Sequence, residues 1–259
     1  MDLGLTGRNA IVCGSSKGLG FACASALARA GANVLLNGRS ENGLKEACKR
    51  LSAEAGIPIR GVTADVTEEG GRNALLEALP QPDILVTNAA GPPPGNFEDW
   101  GEAEWNAAVR ANMIAPILFV RRCIGGMRQR RWGRIINITS SAVKAPLSSL
   151  GLSNGARSGL TGFMAGLARQ VARDGVTINN LLPGSFATDR LRHLAQAEAD
   201  KRGLSFDEVW IEKARLNPTG RLGRPEEFGA TCAFLASDLA GYINGQNLLL
   251  DGGTYPGTF

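Results

Sequence analysis

Along the chain, short apolar runs alternate with longer stretches whose apolar positions step by three and four. The runs at residues 9–13, 33–37, 59–63, 84–87, 134–139, 176–181 and 247–250 are mostly continuous rather than alternating. Continuous runs of that length predict strands covered by helices on both faces. Between them, residues 19–30 are rich in alanine, and Ala156, Leu160, Phe163, Met164, Leu167 and Val171 form a helical stripe expected to face the core. Strand and helix in alternation predict an α/β domain with a doubly wound parallel sheet of about seven strands.

One stretch breaks the rhythm. Between Pro183 and Pro218 the chain carries many charges with isolated Leu194, Phe206, Val209, Trp210 and Ile211, a pattern of two short amphipathic helices. It follows the sixth strand at the end where open α/β sheets bind ligands, so residues 185–217 are expected to form a substrate lid. The other reading is a surface insertion that touches no ligand.

At 259 residues the chain has enough length for one full core and too little for two ordinary domains, so residues 1–259 are taken as one domain. The 34 glycines are roughly twice the usual ~7% and announce many tight turns. A net charge of +4 does not make nucleic acid the leading partner. His193 is the single histidine, and Cys13, Cys23, Cys48, Cys123 and Cys232 form no CxxC pair. No metal site and no histidine-based triad is therefore expected, and reduced thiols point to a cytoplasmic protein. No apolar run reaches the ~18 residues of a membrane span, and the start MDLGLTGRNA lacks the pattern of a signal peptide.

The first chemical signal is Cys13-Gly14-Ser15-Ser16-Lys17-Gly18-Leu19-Gly20, directly after the first strand and opening a helix. Glycines there allow a tight turn and a close backbone approach to a pyrophosphate, which the helix N-terminus attracts. Asp65-Val66 follows the third strand and Asn88-Ala89-Ala90 the fourth. With the G-x-x-x-G-x-G spacing, this set resembles the short-chain dehydrogenase/reductase family, which implies a single-domain Rossmann-type fold. The resemblance runs the length of the chain through Asn112, Ser140, Pro183-Gly184 with Thr188 after it, and the closing GQNLLLDGG. It implies that Gly14, Ser16, Lys17, Gly18, Leu19, Gly20, Asp65, Val66, Asn88, Ala89, Arg157, Pro183, Gly184 and Thr188 contact a nicotinamide dinucleotide. Two departures stand out: Cys13 replaces the family's Thr, and its Asn-Asn-Ala-Gly is here Thr87-Asn88-Ala89-Ala90, followed by Gly91-Pro92-Pro93-Pro94-Gly95.

Charge discriminates between the two dinucleotides. The second strand ends in Leu36-Asn37-Gly38-Arg39-Ser40, with no carboxylate to receive a ribose 2′-OH. Arg39, with Lys17 nearby, suits a 2′-phosphate, so NADP(H) is expected; the alternative leaves Arg39 in solvent.

In the resembled family a Ser, a Tyr, a Lys four residues later and an Asn perform the chemistry. Ser140 and Asn112 match, but Ser153 stands at the Tyr position and Arg157 at the Lys position. A phenol titrates near ~10, whereas an aliphatic alcohol is a far weaker acid and a guanidinium stays protonated. Three explanations remain open: hydride transfer to a carbonyl (3-oxoacyl-like) or activated C=C with another donor (Ser140, Ser153 with a water, Lys144 or the substrate itself), NADP binding without turnover as a sensor, or weak catalysis in a complex. Residues 92–97, Trp100, residues 147–152, Phe186 and Trp210 suggest an apolar substrate pocket. Arg121, Arg122, Arg128, Arg130 and Arg131 suit either an acidic acyl carrier or a solvated helix end. The resemblance also implies a homotetramer acting on a small-molecule substrate, possibly acyl-carrier-linked.

Overall fold

Residues 1–258 are described by a computed structural model. The seven expected strands are β1 (Asn9–Val12), β2 (Asn33–Gly38), β3 (Arg60–Thr63), β4 (Ile84–Thr87), β5 (Gly133–Ile138), β6 (Val176–Pro183) and β7 (Asn247–Leu250). All pair in parallel, in the order β3-β2-β1-β4-β5-β6-β7. From β1 the chain winds outward to β3, then returns to β4 and winds the other way to β7. The switch point between β1 and β4 opens a crevice at the C-terminal ends of the strands.

Among the described residues nine α-helices connect these strands: α1 (Gly18–Arg29), α2 (Glu41–Ala55), α3 (Glu69–Ala78), α4 (Glu102–Val109), α5 (Ala115–Gln129), α6 (Gly151–Val171), α7 (Asp189–Arg202), α8 (Phe206–Arg215) and α9 (Pro225–Ala236). Successive strand residues point to opposite faces, and both faces are covered. Val12, Val86 and Ile136 pack with Leu27 of α1 and Phe228 of α9, while Ile11, Leu85 and Ile135 pack with Phe119 of α5 and Leu160 and Met164 of α6. This double coverage is why the strand sequences are continuous rather than alternating.

The four strands β4 to β7 share a polar ladder, buried from Thr87 to Asn180 and reaching exposed Asn247 at the sheet edge. Thr87 Oγ1 donates to Asn137 Oδ1 at 2.7 Å, Asn137 Nδ2 to Asn180 Oδ1 at 2.9 Å, and Asn180 Nδ2 to Asn247 Oδ1 at 2.8 Å. Each pair is also a register pair of the sheet. In-register amides of this kind satisfy one another and make any slip costly, because a shifted strand would bury them unpaired.

The charged stretch after β6 forms α7 and α8, two helices with a small core of their own. Ala195, Ala199 and Val209 are fully buried, and Phe206 stacks on Trp210 at 5.4 Å. Trp210 is thereby taken up by packing inside this pair, with Arg192 over its ring. Phe186 sits edge-on to Phe228 at 5.3 Å in the core. Each aromatic thus has an apolar partner close at hand.

The arginine-rich end of α5 lies where the strands begin, opposite the crevice. Arg128 pairs with Asp174, and Arg130 bonds Asp83 and the Pro82 carbonyl. These groups serve internal contacts. Among the described residues no helix is long and apolar enough to cross a membrane, and no three His, Cys, Asp or Glu residues are grouped to hold a metal ion.

Candidate active site

The turn after β1 is built by steric necessity. Gly14 and Gly18 have φ of +55° and +61°, the left-handed region that residues with a Cβ adopt at a cost. Gly20 is excluded from substitution by space: a Cβ there would overlap the Gly14 carbonyl oxygen and stand 2.9 Å from Asn88 Nδ2. The close approach of helix and turn leaves a backbone cradle at the N-terminus of α1, open to an anion.

Two residues not singled out by sequence reasoning hold this cradle. Asn37, buried at the end of β2, accepts from the Gly14 N–H and donates to the carbonyls of Val62 and Ala64. Ser15, fully buried, donates to the Val12 carbonyl at 2.7 Å and accepts from the Asn37 N–H. Asn88 completes the frame by donating to the Gly14 carbonyl at 3.1 Å. The available signal was an Asn inside an otherwise apolar strand, since a buried amide needs several partners.

Lys17 and Arg39 are both exposed at the rim of the cradle, as a 2′-phosphate contact requires. Asp65 accepts from the Thr67 N–H and hydroxyl. Burial raises its pKa, but those bonds and the charges of Arg39 and Arg110 outweigh burial and hold the carboxyl below its usual range. Val66 adjoins Asn88 and Ala89 around a small apolar gap beneath the turn. On the far side, Pro183 ends β6, where its missing N–H is harmless. Gly184 donates to the Leu250 carbonyl, and any Cβ on it would stand 2.7 Å from Asp251.

Of the residues expected to act on substrate, Ser140 and Arg157 meet at the end of β5. Ser140 caps the turn after β5, its Oγ accepting from the Ala142 N–H at 3.1 Å, which leaves its O–H as a donor. Asn112 lies in a π-type turn, Arg110–Ile114, that breaks the helix between α4 and α5. Such a turn frees backbone carbonyls from the regular helical bonds and is often found at functional sites. Asn112 is 4% exposed and its Oδ1 has no partner, an orphaned acceptor that invites a donor. Ser153 is buried on α6, one turn before Arg157.

Arg157 is also buried, yet among the described residues it faces no carboxylate. Its Nη1 donates to the carbonyls of Ile138 at 2.7 Å and Thr139 at 2.9 Å, and its Nη2 to Ala89 at 3.4 Å. Burial, and secondarily the nearby Arg190 charge, push the guanidinium down to about 10, so it stays cationic at neutral pH. The side chain ties the end of β5, where Ser140 begins, to the loop after β4.

That loop is roofed by α7. Thr188 caps the helix by accepting from the Leu191 N–H, and its side chain lies over Gly18. Arg190 donates to the carbonyls of Gly91 and Pro92. The Pro-rich segment is joined to the loop before α6 by the Gly95 N–H bond to Ser149, and the Trp100 ring packs on both Gly95 and Gly151. Lys144 Nζ stands 5.8 Å from the centre of the Tyr255 ring. His193 is exposed, with Nδ1 against the Asp189 carbonyl.

Residues 14–255 match the family described as enoyl-(acyl carrier protein) reductase. The chain is 34% identical to 3-oxoacyl-[acyl-carrier-protein] reductase of Salmonella typhimurium, covering 96% of this chain and 98% of that protein. It is 32% identical to D-beta-hydroxybutyrate dehydrogenase of Cupriavidus necator, with coverages of 96% and 98%. L-sorbose reductase from Gluconobacter frateurii, solved with NADPH and L-sorbose, superposes with a TM-score of 0.93 at 29% identity over 98% of each chain. A 3-oxoacyl (acyl-carrier-protein) reductase from Agrobacterium tumefaciens with NADP bound superposes at 0.86, with 32% identity over 97% of this chain and 95% of that one.

Proposed function

Because the chain belongs to the short-chain dehydrogenase/reductase family, we propose that it is an NADP(H)-dependent oxidoreductase acting on a carbonyl or activated C=C substrate, with Ser153 and Arg157 at the family's Tyr and Lys positions. The observation that carries the cofactor is the cradle of Gly14, Gly18 and Gly20, where Gly20 has no room for a Cβ and Gly14 and Gly18 take a left-handed φ. Ser16, Lys17, Leu19, Asp65, Val66, Asn88, Ala89, Pro183, Gly184 and Thr188 surround it, and Arg39 marks the 2′-phosphate end. The relatives solved with NADPH or NADP support the same choice. When bound, the nicotinamide supplies the hydride.

The remaining work falls to this chain's own residues. Ser140 presents its O–H to the substrate oxygen, fixed by the turn it caps. Arg157 holds the end of β5 and supplies permanent positive charge beside that oxygen, stabilising negative charge as it develops. With three of its five N–H groups given to carbonyls, it has two left for a ribose. Ser153 is too short and too weak an acid to replace a phenol, so the proton comes from elsewhere on the loop or from the substrate; Lys144 is the titratable cation nearest in sequence to Ser140. The working assembly is a homotetramer in the cytoplasm, with acyl-carrier-linked substrates among the candidates, as the 3-oxoacyl reductase relatives suggest.

The test has two parts. NADPH should bind at least ~10-fold tighter than NADH, about 1.4 kcal/mol, by fluorescence titration. Across a panel of ketones and enones, Ser140→Ala should lower kcat by roughly 100-fold, within the usual range for a removed oxyanion donor, while NADPH affinity stays within about twofold. Equal affinities for the two dinucleotides overturn the cofactor assignment, and full kcat in the variant removes Ser140 from the mechanism.

A further inference from the structure

Two guanidinium groups meet on one short loop. Arg157 comes from below, on α6, and reaches the Ala89 carbonyl at 3.4 Å. Arg190 comes from above, in the first turn of α7, and reaches the carbonyls of Gly91 at 3.3 Å and Pro92 at 3.4 Å. Charge-assisted hydrogen bonds ordinarily close to ~2.7–2.9 Å, so Arg190 rests on neutral acceptors without a tight partner. Among the described residues no carboxylate lies within 4.0 Å of either guanidinium, whereas Arg128, Arg202 and Arg221 all have one. Lys144, on the neighbouring loop, has no ion pair among the described residues either.

Like charges collected on one face without a counter-ion raise the energy of the empty site, and an anion placed between them removes that cost. Geometry narrows the position of the anion. The start of α7 lies over the Gly-rich turn through Thr188, and the Pro-rich loop runs from Ala89 toward the loop before α6. Arg190 therefore sits on the loop after β4, on the helix whose N-cap lies against the Gly-rich turn, while Arg39 stands at the end of β2.

We propose that Arg190 and Arg157 form an anion site straddling the loop from Ala89 to Pro92, which takes a carboxylate or phosphate oxygen of the bound ligand, and that α7 carries Arg190 in as its specificity-determining group. The inference rests on the dinucleotide reading above. The anion has two sources, the phosphate on the nicotinamide side of the dinucleotide or an acidic group of the substrate.

Calorimetric titration of the wild-type protein, Arg190→Gln and Arg190→Lys separates them, with NADPH, adenosine 2′,5′-bisphosphate and, on NADPH-saturated protein, succinate as probes. A tenfold loss of NADPH affinity in Arg190→Gln, with unchanged bisphosphate affinity and partial recovery in Arg190→Lys, assigns the anion to the dinucleotide. Unchanged NADPH affinity with a tenfold loss of succinate binding assigns it to the substrate. No change with any probe, or an equal loss with the bisphosphate, overturns the anion site. If wild-type protein binds neither NADPH nor the bisphosphate, the cofactor reading fails by itself; succinate binding that Arg190→Gln abolishes then still supports the site, and its absence ends it.

Discussion

The crevice has two walls of different construction. On the β1–β3 side the chain is locked by uncharged groups at short range: the side chains of Asn37 and Ser15, with Asn88 reaching across from the end of β4, bond to the backbone around Gly14 and Gly20, where a Cβ finds no room. On the β4–β6 side the walls are side chains and charges. Arg157 and Arg190 lean on carbonyls, Lys144 on an aromatic ring, and the Pro-rich loop is joined across by the Gly95 bond and the Trp100 ring. A cradle made of backbone tolerates few sequences, because its shape is the binding surface. A wall made of side chains can be rebuilt without disturbing the fold, which allows Ser153 and Arg157 beneath an intact dinucleotide turn.

The largest effect is expected where space is absent. Gly20→Ala should destabilise by about 3 kcal/mol, the upper part of the overpacking range, and weaken NADPH binding more than tenfold. Gly162→Ala, in α6 with nothing within 4 Å of the added methyl, should instead stabilise by roughly 0.5–1 kcal/mol through helix propensity. Urea unfolding of both variants checks this, and equal effects at the two glycines would erase the contrast between the walls.

The polar ladder under the second wall comes next. Asn137→Ala removes the middle member and leaves Thr87 and Asn180 without their partners, a cost of about 2 kcal/mol. The midpoint of urea unfolding should fall with the slope unchanged. A loss below ~0.5 kcal/mol would mean that water replaces the amide.

The smallest effect lies outside both walls, at the start of α9. Arg221, and then the Arg224 N–H, hold the Glu227 carboxyl down at about 2 from an ordinary 4.5. A depressed carboxyl stabilises the fold above its unfolded pKa, and that stability is lost as pH falls from 4.5 toward 2. The Glu227 side chain is still about one-third exposed, so solvent screening keeps the effect below ~1 kcal/mol. Glu227→Gln should flatten stability against pH in that window and reduce the salt dependence; an unchanged acid limb shows that other carboxylates govern it.

Several features were readable in the chain because their causes are local. Strand runs covered on both faces, a turn that needs Gly14 and Gly18, and two helices between Pro183 and Pro218 each follow from neighbours a few residues apart. Their edges shifted by a residue or two: β6 runs on to Pro183 because β7 continues to pair with it, and β3 begins one residue late at an exposed sheet edge. The partners of Phe186 and Trp210 were not legible, because an isolated aromatic does not reveal which apolar surface will reach it first. Asn37 and Asn180 were passed over as strand residues because their worth lies in partners on other strands.

By itself, the sequence determined the alternation of strand and helix, the dinucleotide turn, and the absence of a phenol at the residue thirteen after Ser140. Steric rules on φ, hydrophobic period and side-chain acidity act within a turn or two, so spacing carries them. Tertiary structure alone decided that Arg157 bonds carbonyls of two strand ends, that Arg190 settles 33 residues later in sequence on the same loop, and that among the described residues neither has a carboxylate beside it. Electrostatic pairing depends on distances between segments that only the closed sheet brings together, and no spacing along the chain records which charges will be left without partners.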